Sequence, residues 1–453
     1  MQTLISKIKG FINPVSPATV LKSTTATPNP ATVSVIIKPT TSPQPQKDTV
    51  RKVKLIMVTE NNNNKFYEMT DNNDGTFKVL YGRVGSRQTE VTYPISEWNS
   101  KYNEKIRKGY IDNTHLFAVS TPEPDTSSIQ DKSVKSLIDS FMKYARNSIF
   151  NNYVVSATEV TQKQVDEAQN LVNSLIKMID KGMDVGSFNQ QLLDLFKVIP
   201  RKMSNVKEHL LSVSPTNIDE INAIKAQIVE EQATLDVMRS QVEINEKQAE
   251  STKDKEIDLL QLLGLQIETV EDPKIKKLIK LMMGKHGDKF VEAYQVTNNR
   301  TQKGFDNWIS KAKNPKTQLL WHGSRNENWL SILKTGLVLR PVNAIITGKM
   351  FGYGVYFANE FSKSLNYSSL CGSVWTNGNS NEAYLAIFEV HTGSQLEISQ
   401  HEAWHTQLTE DKLKGINKNY DSVFAKRGVS LLNNEFIVYN EAQCTIKYIV
   451  KIK

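Results

Sequence analysis

The chain has 453 residues, 39% of them apolar, and a formal net charge of +8 at pH 7. That length exceeds what one hydrophobic core organises, so roughly two to four domains are expected. No run approaches the ~20 apolar residues of a membrane span, and Cys371 and Cys444 alone cannot build a disulfide framework or a four-cysteine zinc site.

These features point to a soluble protein with no membrane partner, and they suit a reducing compartment. The positive charge fits a polyanion such as nucleic acid, whose condensed counterions lysine and arginine release. It fits equally a basic surface that serves only solubility.

Residues 1–48 are rich in Thr, Pro, Ser and Lys, and Asp48 is their only acidic residue. Such a segment cannot offset its chain entropy by burial and reads as a disordered basic tail. Its opening, MQTLISKIKGFI, is acid-poor like an organelle transit peptide but lacks arginine. In 49–122 the β-type runs VKLIMVT, KFYEMT and TFKVLYGRVG are separated by the turn signals NNNN and DNNDG, and EWNSKYNEKIRKGY reads as a helix ending at Gly109. This pattern predicts a small antiparallel sheet with one packed helix.

Residues 130–252 switch to helical spacing. Val165, Ala168, Val172, Leu175, Ile176 and Ile179 form one stripe, and Ile221, Ile224, Ile228 and Leu235 another. Pro200 and Pro215 punctuate the helices, and the charged stretch EINEKQAESTKDKE reads as a link. From 255 to 453 the candidate strands are QLLWHG, GVYFAN, AYLAIFEVH, DSVFAK, NEFIVYN and CTIKYIVKIK, with the helix NENWLSILKTG stopping at Gly336. This predicts an α+β domain with a mostly antiparallel sheet. No G-x-G-x-x-G follows a strand and no P-loop is present.

Three clusters in this last region carry chemistry. Trp321-His322-Gly323-Ser324 ends a strand, and its glycine lets backbone approach a ligand. Residues Gly348 to Asn359 (GKMFGYGVYFAN) place three glycines beside an aromatic strand, as a pocket wall would. Glu435 opens the apolar strand Phe436-Ile437-Val438-Tyr439. Taken singly, each also fits a structural role. His401-Glu402-Ala403-Trp404-His405 matches H-E-x-x-H, which on a helix could bind zinc. A third ligand is not evident, and a chance match fits as well.

Together, the blocks LLWHGSRNENWLSILKTGL, TGKMFGYGVYFANEFSKSLNYS and NNEFIVYNEAQCTIKYIVKIK resemble, in this order, the catalytic domain of the poly(ADP-ribose) polymerases over 255–453. The resemblance implies NAD as substrate, no metal, and a triad of His322, Tyr356 and Glu435. It implies that His322 hydrogen-bonds the adenosine ribose, with Ser324 and Asn328 lining the adenosine side. Gly323 would hold the nicotinamide carboxamide through its backbone and Ser364 through its hydroxyl. Tyr367 would stack on the nicotinamide ring, with Tyr356 opposite. Lys363 and Met350 match positions near the acceptor or donor site, and Glu435 matches the catalytic glutamate. The chain departs from the family at Val338, where an arginine reaching the nucleotide is common; Arg340 is the nearest substitute.

The chemistry gives these residue types a reason. Cleaving the nicotinamide–ribose bond passes through an oxocarbenium-like state, and nicotinamide, already cationic in NAD, leaves without a general acid. A carboxylate stabilises the developing cation and can polarise an acceptor hydroxyl.

Upstream, Lys65-Phe66-Tyr67, Tyr81-Gly82-Arg83-Val84-Gly85 and Lys108-Gly109-Tyr110 resemble the WGR domain of the DNA-dependent members, with Tyr81 in place of tryptophan. Arg83 would then contact DNA or the neighbouring domain. QVDEAQNLVNSLIKMID and LLDLFKVIP resemble the family's helical regulatory domain, which obstructs the NAD site until a DNA break loosens it. The implied whole is a multidomain α+β protein: a tail, a small WGR-like sheet domain, an all-α bundle and a mostly antiparallel transferase domain. It would act as a monomer on DNA ends or nicks, modify proteins including itself, and elongate poly(ADP-ribose). It would be nuclear in a eukaryote, and otherwise cytoplasmic or with DNA. A mono-ADP-ribosyltransferase and a non-catalytic DNA-end-binding scaffold are the alternatives.

Overall fold

The turn-punctuated strands after residue 50 form an antiparallel sheet because asparagine tolerates left-handed backbone. Asn62 (φ 62°) and Asn73 (φ 58°) turn the chain between β1 (Lys52–Thr59), β2 (Asn63–Asp71) and β3 (Thr76–Arg83). With β4 (Thr89–Pro94) and β5 (Ile111–Asp112) the strand order is β4-β3-β2-β1-β5. Helix α1 (Trp98–Arg107) covers one face, its Trp98 ring set edge-on to Phe77 at 5.0 Å. The computed structural model describes residues 50–117, 125–153, 160–251, 258–339, 350–370 and 380–453. The expected tail 1–48, Arg340, Gly348, Lys349 and Cys371 lie outside them.

Four helices follow: α2 (Lys132–Asn152), α3 (Gln162–Lys181), α4 (Val185–Val198) and α5 (Ile218–Ser251). Asp131, Thr161 and Asp184 cap the first three by accepting hydrogen bonds from first-turn amides. The spaced apolar residues of α3 are all buried, as are Ile224, Ile228 and Leu235 of α5. Their apolar faces are shared between two cores. One joins α3, α4 and most of α5 to Ile56, Val58, Phe66 and Val84 of the N-terminal sheet. The other joins α2 and Ile244 of α5 to the C-terminal sheet. There the Phe141 ring meets Tyr384 edge-on at 4.7 Å, a pairing worth about 1 kcal/mol beyond its burial.

The charged stretch after Glu243 is a helix as far as Ser251 rather than a link, a correction to the sequence expectation. Ile244, 1% exposed, is anchored in the second core, so the surrounding charges are the helix's solvated side.

The C-terminal region opens with α6 (Leu259–Leu262), β6 (Leu265–Thr269), α7 (Pro273–Met282), β7 (Phe290–Asn298) and α8 (Asn299–Lys311). It continues through β8 (Thr317–Gly323), α9 (Trp329–Thr335), β9 (Val355–Phe357), α10 (Phe361–Leu365), β10 (Ala383–His391) and β11 (Gln395–Ile398). It closes with α11 (Glu410–Ile416), β12 (Ser422–Ala425), β13 (Glu435–Val438) and β14 (Cys444–Ile452). Two sheets result, ordered β6-β7-β14-β10-β8 and β11-β12-β13-β9. All their pairings are antiparallel except β11 with β12. The strands β6, β7 and β11 have no counterpart in the sequence reading: polar residues alternate through the first two, and β11 is only four residues long. An antiparallel bridge between Trp321 and Ala358 joins the two sheets, with N–H···O distances of 2.8 and 3.0 Å.

Candidate active site

That bridge builds the site. Trp321, 1% exposed, is fixed edge-on against Phe361 at 5.1 Å. The next residue, His322, therefore lies beside β9, edge-on to Phe357 at 5.8 Å and Phe388 at 5.9 Å. Its Nδ1 is 3.1 Å from the Tyr356 carbonyl. A carbonyl only accepts, so Nδ1 carries the proton and the neutral ring keeps Nε2 as an acceptor. Burial holds the His322 pKa below the ordinary 6.5, against the opposing pull of the Tyr356 carbonyl.

Gly323 ends β8 against α10. A Cβ there would run into the backbone carbonyl of Ser364, so only glycine permits this approach. Ser364, 4% exposed, is thereby held beside the Gly323 backbone. The contact sets the Gly323 backbone and Ser364 side by side. Tyr356 on β9 is held through its hydroxyl, which accepts from the Phe351 amide at 3.1 Å and donates to the Gly352 carbonyl at 2.9 Å. Burial and, less strongly, the Glu435 charge push its pKa well above the ordinary tyrosine value.

Glu435 heads β13, which pairs with β9 through Phe436–Phe357 and Ile437–Tyr356. It is 8% exposed, and its Oε1 lies 2.6 Å from Lys363 Nζ on α10. The same ammonium sits 5.6 Å from the centre of the Tyr367 ring. Burial depresses the Lys363 pKa, but bonding to Glu435 outweighs it and leaves the value raised. The structure thus brings His322, Tyr356, Gly323, Ser364, Lys363, Tyr367 and Glu435 to one place. Met350 is partly buried, packed against the core that contains Phe351 and Ile437.

A cavity of about 650 Å³ opens beside this group. The catalytic side contributes His322, Ser324, Asn328 and Val338, and Asn328 Nδ2 donates to Ser324 Oγ at 3.0 Å. The opposite wall is helical: Gln169 of α3 with Gln232, Asp236, Arg239 and Glu243 of α5. Gln169 and Gln232 exchange hydrogen bonds of 2.7 and 2.8 Å, and Arg239 reaches Asp166 at 3.0 Å. Sequence reasoning missed this wall. Its one signal is the polar stripe Gln232, Asp236, Arg239, Glu243, whose spacing also describes an ordinary solvated helix face.

Arg83 faces the helical region. Its guanidinium donates to the carbonyls of Met203 (3.2 Å), Ser204 (2.7 Å) and Asn62 (2.9 Å). Tyr81 is 36% exposed, its ring 5.9 Å from Tyr67. The H-E-x-x-H segment does not form the α-helix that would set both imidazoles on one face. Residues Ala403–Gln407 are a 3-10 turn, His401 precedes it, and His405 Nδ1 accepts from the Glu402 amide at 2.8 Å.

The family model for the poly(ADP-ribose) polymerase catalytic domain matches residues 270–453. "Uncharacterized protein 101L" of Invertebrate iridescent virus 6 is 40% identical over 195 residues, 43% of this chain and 79% of that protein. "Putative poly [ADP-ribose] polymerase-like 100L" of the same virus is 35% identical over 171 residues, 36% of this chain and 87% of that protein. "Poly [ADP-ribose] polymerase 2" of Arabidopsis thaliana is 26% identical over 471 aligned positions, covering 86% of this chain and 71% of that protein. The chain carries an ADP-ribosyltransferase domain with NAD as its substrate. It belongs to the poly(ADP-ribose) polymerase family.

Proposed function

We propose that this chain transfers ADP-ribose from NAD to protein acceptors, itself included, and elongates it to poly(ADP-ribose). We further propose that DNA ends or nicks, bound through residues 49–122, relieve a restraint by the helical region. The observation that carries the first reading is the buried Glu435, paired with Lys363 at 2.6 Å beside the strand of Tyr356. A carboxylate so placed stabilises positive charge on the ribose as the bond to nicotinamide breaks. It then accepts the proton of the acceptor hydroxyl, whose oxygen bonds to the anomeric carbon. When the acceptor hydroxyl belongs to a bound ADP-ribose unit, the same step extends the chain.

The remaining residues orient NAD. The free Nε2 of neutral His322 accepts from the adenosine ribose, while Ser324 and Asn328 offer further polar groups on that side. The Gly323 backbone and the Ser364 hydroxyl fix the carboxamide, and Tyr356 and Tyr367 flank the ring. Supporting the second reading, α3 and α5 face His322, Ser324 and Asn328 across the cavity, so those helices bound the adenosine-side space. On this reading Arg83 serves the interface that transmits DNA binding, and the protein works as a monomer on DNA, in the nucleus if the source is a eukaryote and otherwise in the cytoplasm or with DNA.

The test is incubation with labelled NAD, with and without 5′-phosphorylated nicked DNA, followed by a denaturing gel. A ladder that intensifies with DNA is the expected result. One sharp band means single-unit transfer, and no label leaves only a DNA-end-binding scaffold.

A further inference from the structure

We propose that His401 is a positioning residue for the nicotinamide side of the site: its Nε2–H pins the Met350 carbonyl and so holds Met350–Gly352 against the Tyr356 hydroxyl. The proposal rests on the reading of Tyr356 as a wall of the nicotinamide subsite.

The Tyr356 ring takes its position from two backbone groups, the Phe351 amide and the Gly352 carbonyl. That short segment is itself clamped at successive carbonyls. His401 Nε2 reaches Met350 O at 2.8 Å, and the Tyr439 hydroxyl donates to Phe351 O at 2.6 Å. The Tyr353 amide donates to Leu408 O at 2.8 Å. Gly352, at φ +75°, lies so close to the Leu408 backbone that a Cβ would collide with it. The Phe351 ring, 1% exposed, lies 5.7 Å from the His401 ring and 6.0 Å from that of His405.

His401 also reaches the other half of the site. Its backbone amide donates to Ser430 Oγ at 2.9 Å, in the loop that leads into Glu435. His405 closes the turn that presents Leu408, through its acceptance of the Glu402 amide and the 3.1 Å bond from the Leu408 amide to its carbonyl. The two imidazoles of the H-E-x-x-H match therefore brace the Tyr356 side, and the His401 backbone amide ties the same segment to the loop before Glu435.

Phenylalanine at 401 keeps a ring against Phe351 and removes the donor. Glutamine restores an N–H at similar reach. The experiment compares full-length wild type with His401→Phe and His401→Gln. It measures calorimetric affinity for benzamide, which carries the ring and carboxamide of nicotinamide, and for ADP-ribose, together with KM and kcat for NAD. His401→Phe should weaken benzamide binding and raise KM about 3- to 10-fold, the worth of one hydrogen bond. ADP-ribose affinity and kcat should stay within about twofold of wild type, and His401→Gln should recover benzamide binding. Unchanged benzamide affinity in His401→Phe overturns the proposal. So does an equal loss of both ligands with a lowered melting temperature in both variants, which would mark His401 as merely structural. Wild type that binds neither ligand and consumes no NAD refutes the transferase reading, and the clamp with it.

Discussion

Glu230 and Glu231, neighbours on α5, bind to opposite parts of the molecule. Glu231, 6% exposed, is ion-paired with Arg201 and accepts from the Tyr153 hydroxyl at 2.9 Å. The Arg201 carbonyl in turn accepts from Asn64 of the N-terminal sheet at 2.9 Å. Glu230 pairs with Arg325, on the loop after β8, at 3.1 Å. Two adjacent carboxylates thus link the N-terminal sheet to the rim of the active site.

The two pairs should behave differently when broken. Arg201→Met leaves a buried carboxylate unpaired and should cost about 3 kcal/mol in urea denaturation. Glu230 is half exposed, so Glu230→Gln should change stability by less than about 1 kcal/mol. If α5 restrains the site, Glu230→Gln should also raise DNA-independent activity about 2- to 5-fold. Equal destabilisation by both variants would contradict the burial argument.

Gly323→Ala tests the close contact with Ser364. The obstacle is the Ser364 backbone, so the strand end must shift at a cost of about 1–3 kcal/mol. KM for NAD should rise about tenfold or more. An alanine variant with wild-type KM would show that this strand end does not hold the carboxamide.

Glu435→Gln should reduce nicotinamide release about 10²- to 10³-fold and leave no polymer on a gel. Lys363→Met removes the ammonium that positions the carboxylate and should cost less, about tenfold, with Lys363→Arg recovering much of it. A Lys363→Met enzyme making chains of normal length at the normal rate would exclude the lysine from the chemistry.

Acid should destabilise the fold through its histidines. Burial holds the pKa values of His322, His405 and His209 below the ordinary 6.5, so each stays neutral when folded. The unfolded chain takes up these protons first, and stability is lost as pH falls from 6.5 toward the depressed folded values. Melting temperature should therefore drop between pH about 7.5 and about 5.5, less steeply in His405→Gln. A flat profile, or one unchanged by the substitution, would be inconsistent with buried neutral imidazoles.

Much of this molecule is written locally. The stripe from Val165 to Ile179 names the buried face of α3, the asparagines at 62 and 73 name turns, and Gly336 stops α9 with φ +78°. His322-Gly323, Tyr356 and Glu435 stood out in the sequence only because three short blocks, each unremarkable by itself, occur together in one order. Only the tertiary structure decided what those blocks do to one another. The Trp321–Ala358 bridge brings His322 to the Tyr356 carbonyl that sets its tautomer, the fold gives Glu435 its partner Lys363, and the polar stripe of α5 becomes a cavity wall instead of a solvated face. Periodicity records which side of an element is apolar. It carries no information about which distant segment meets that element, and at this site the charges, protons and cavity are properties of those meetings.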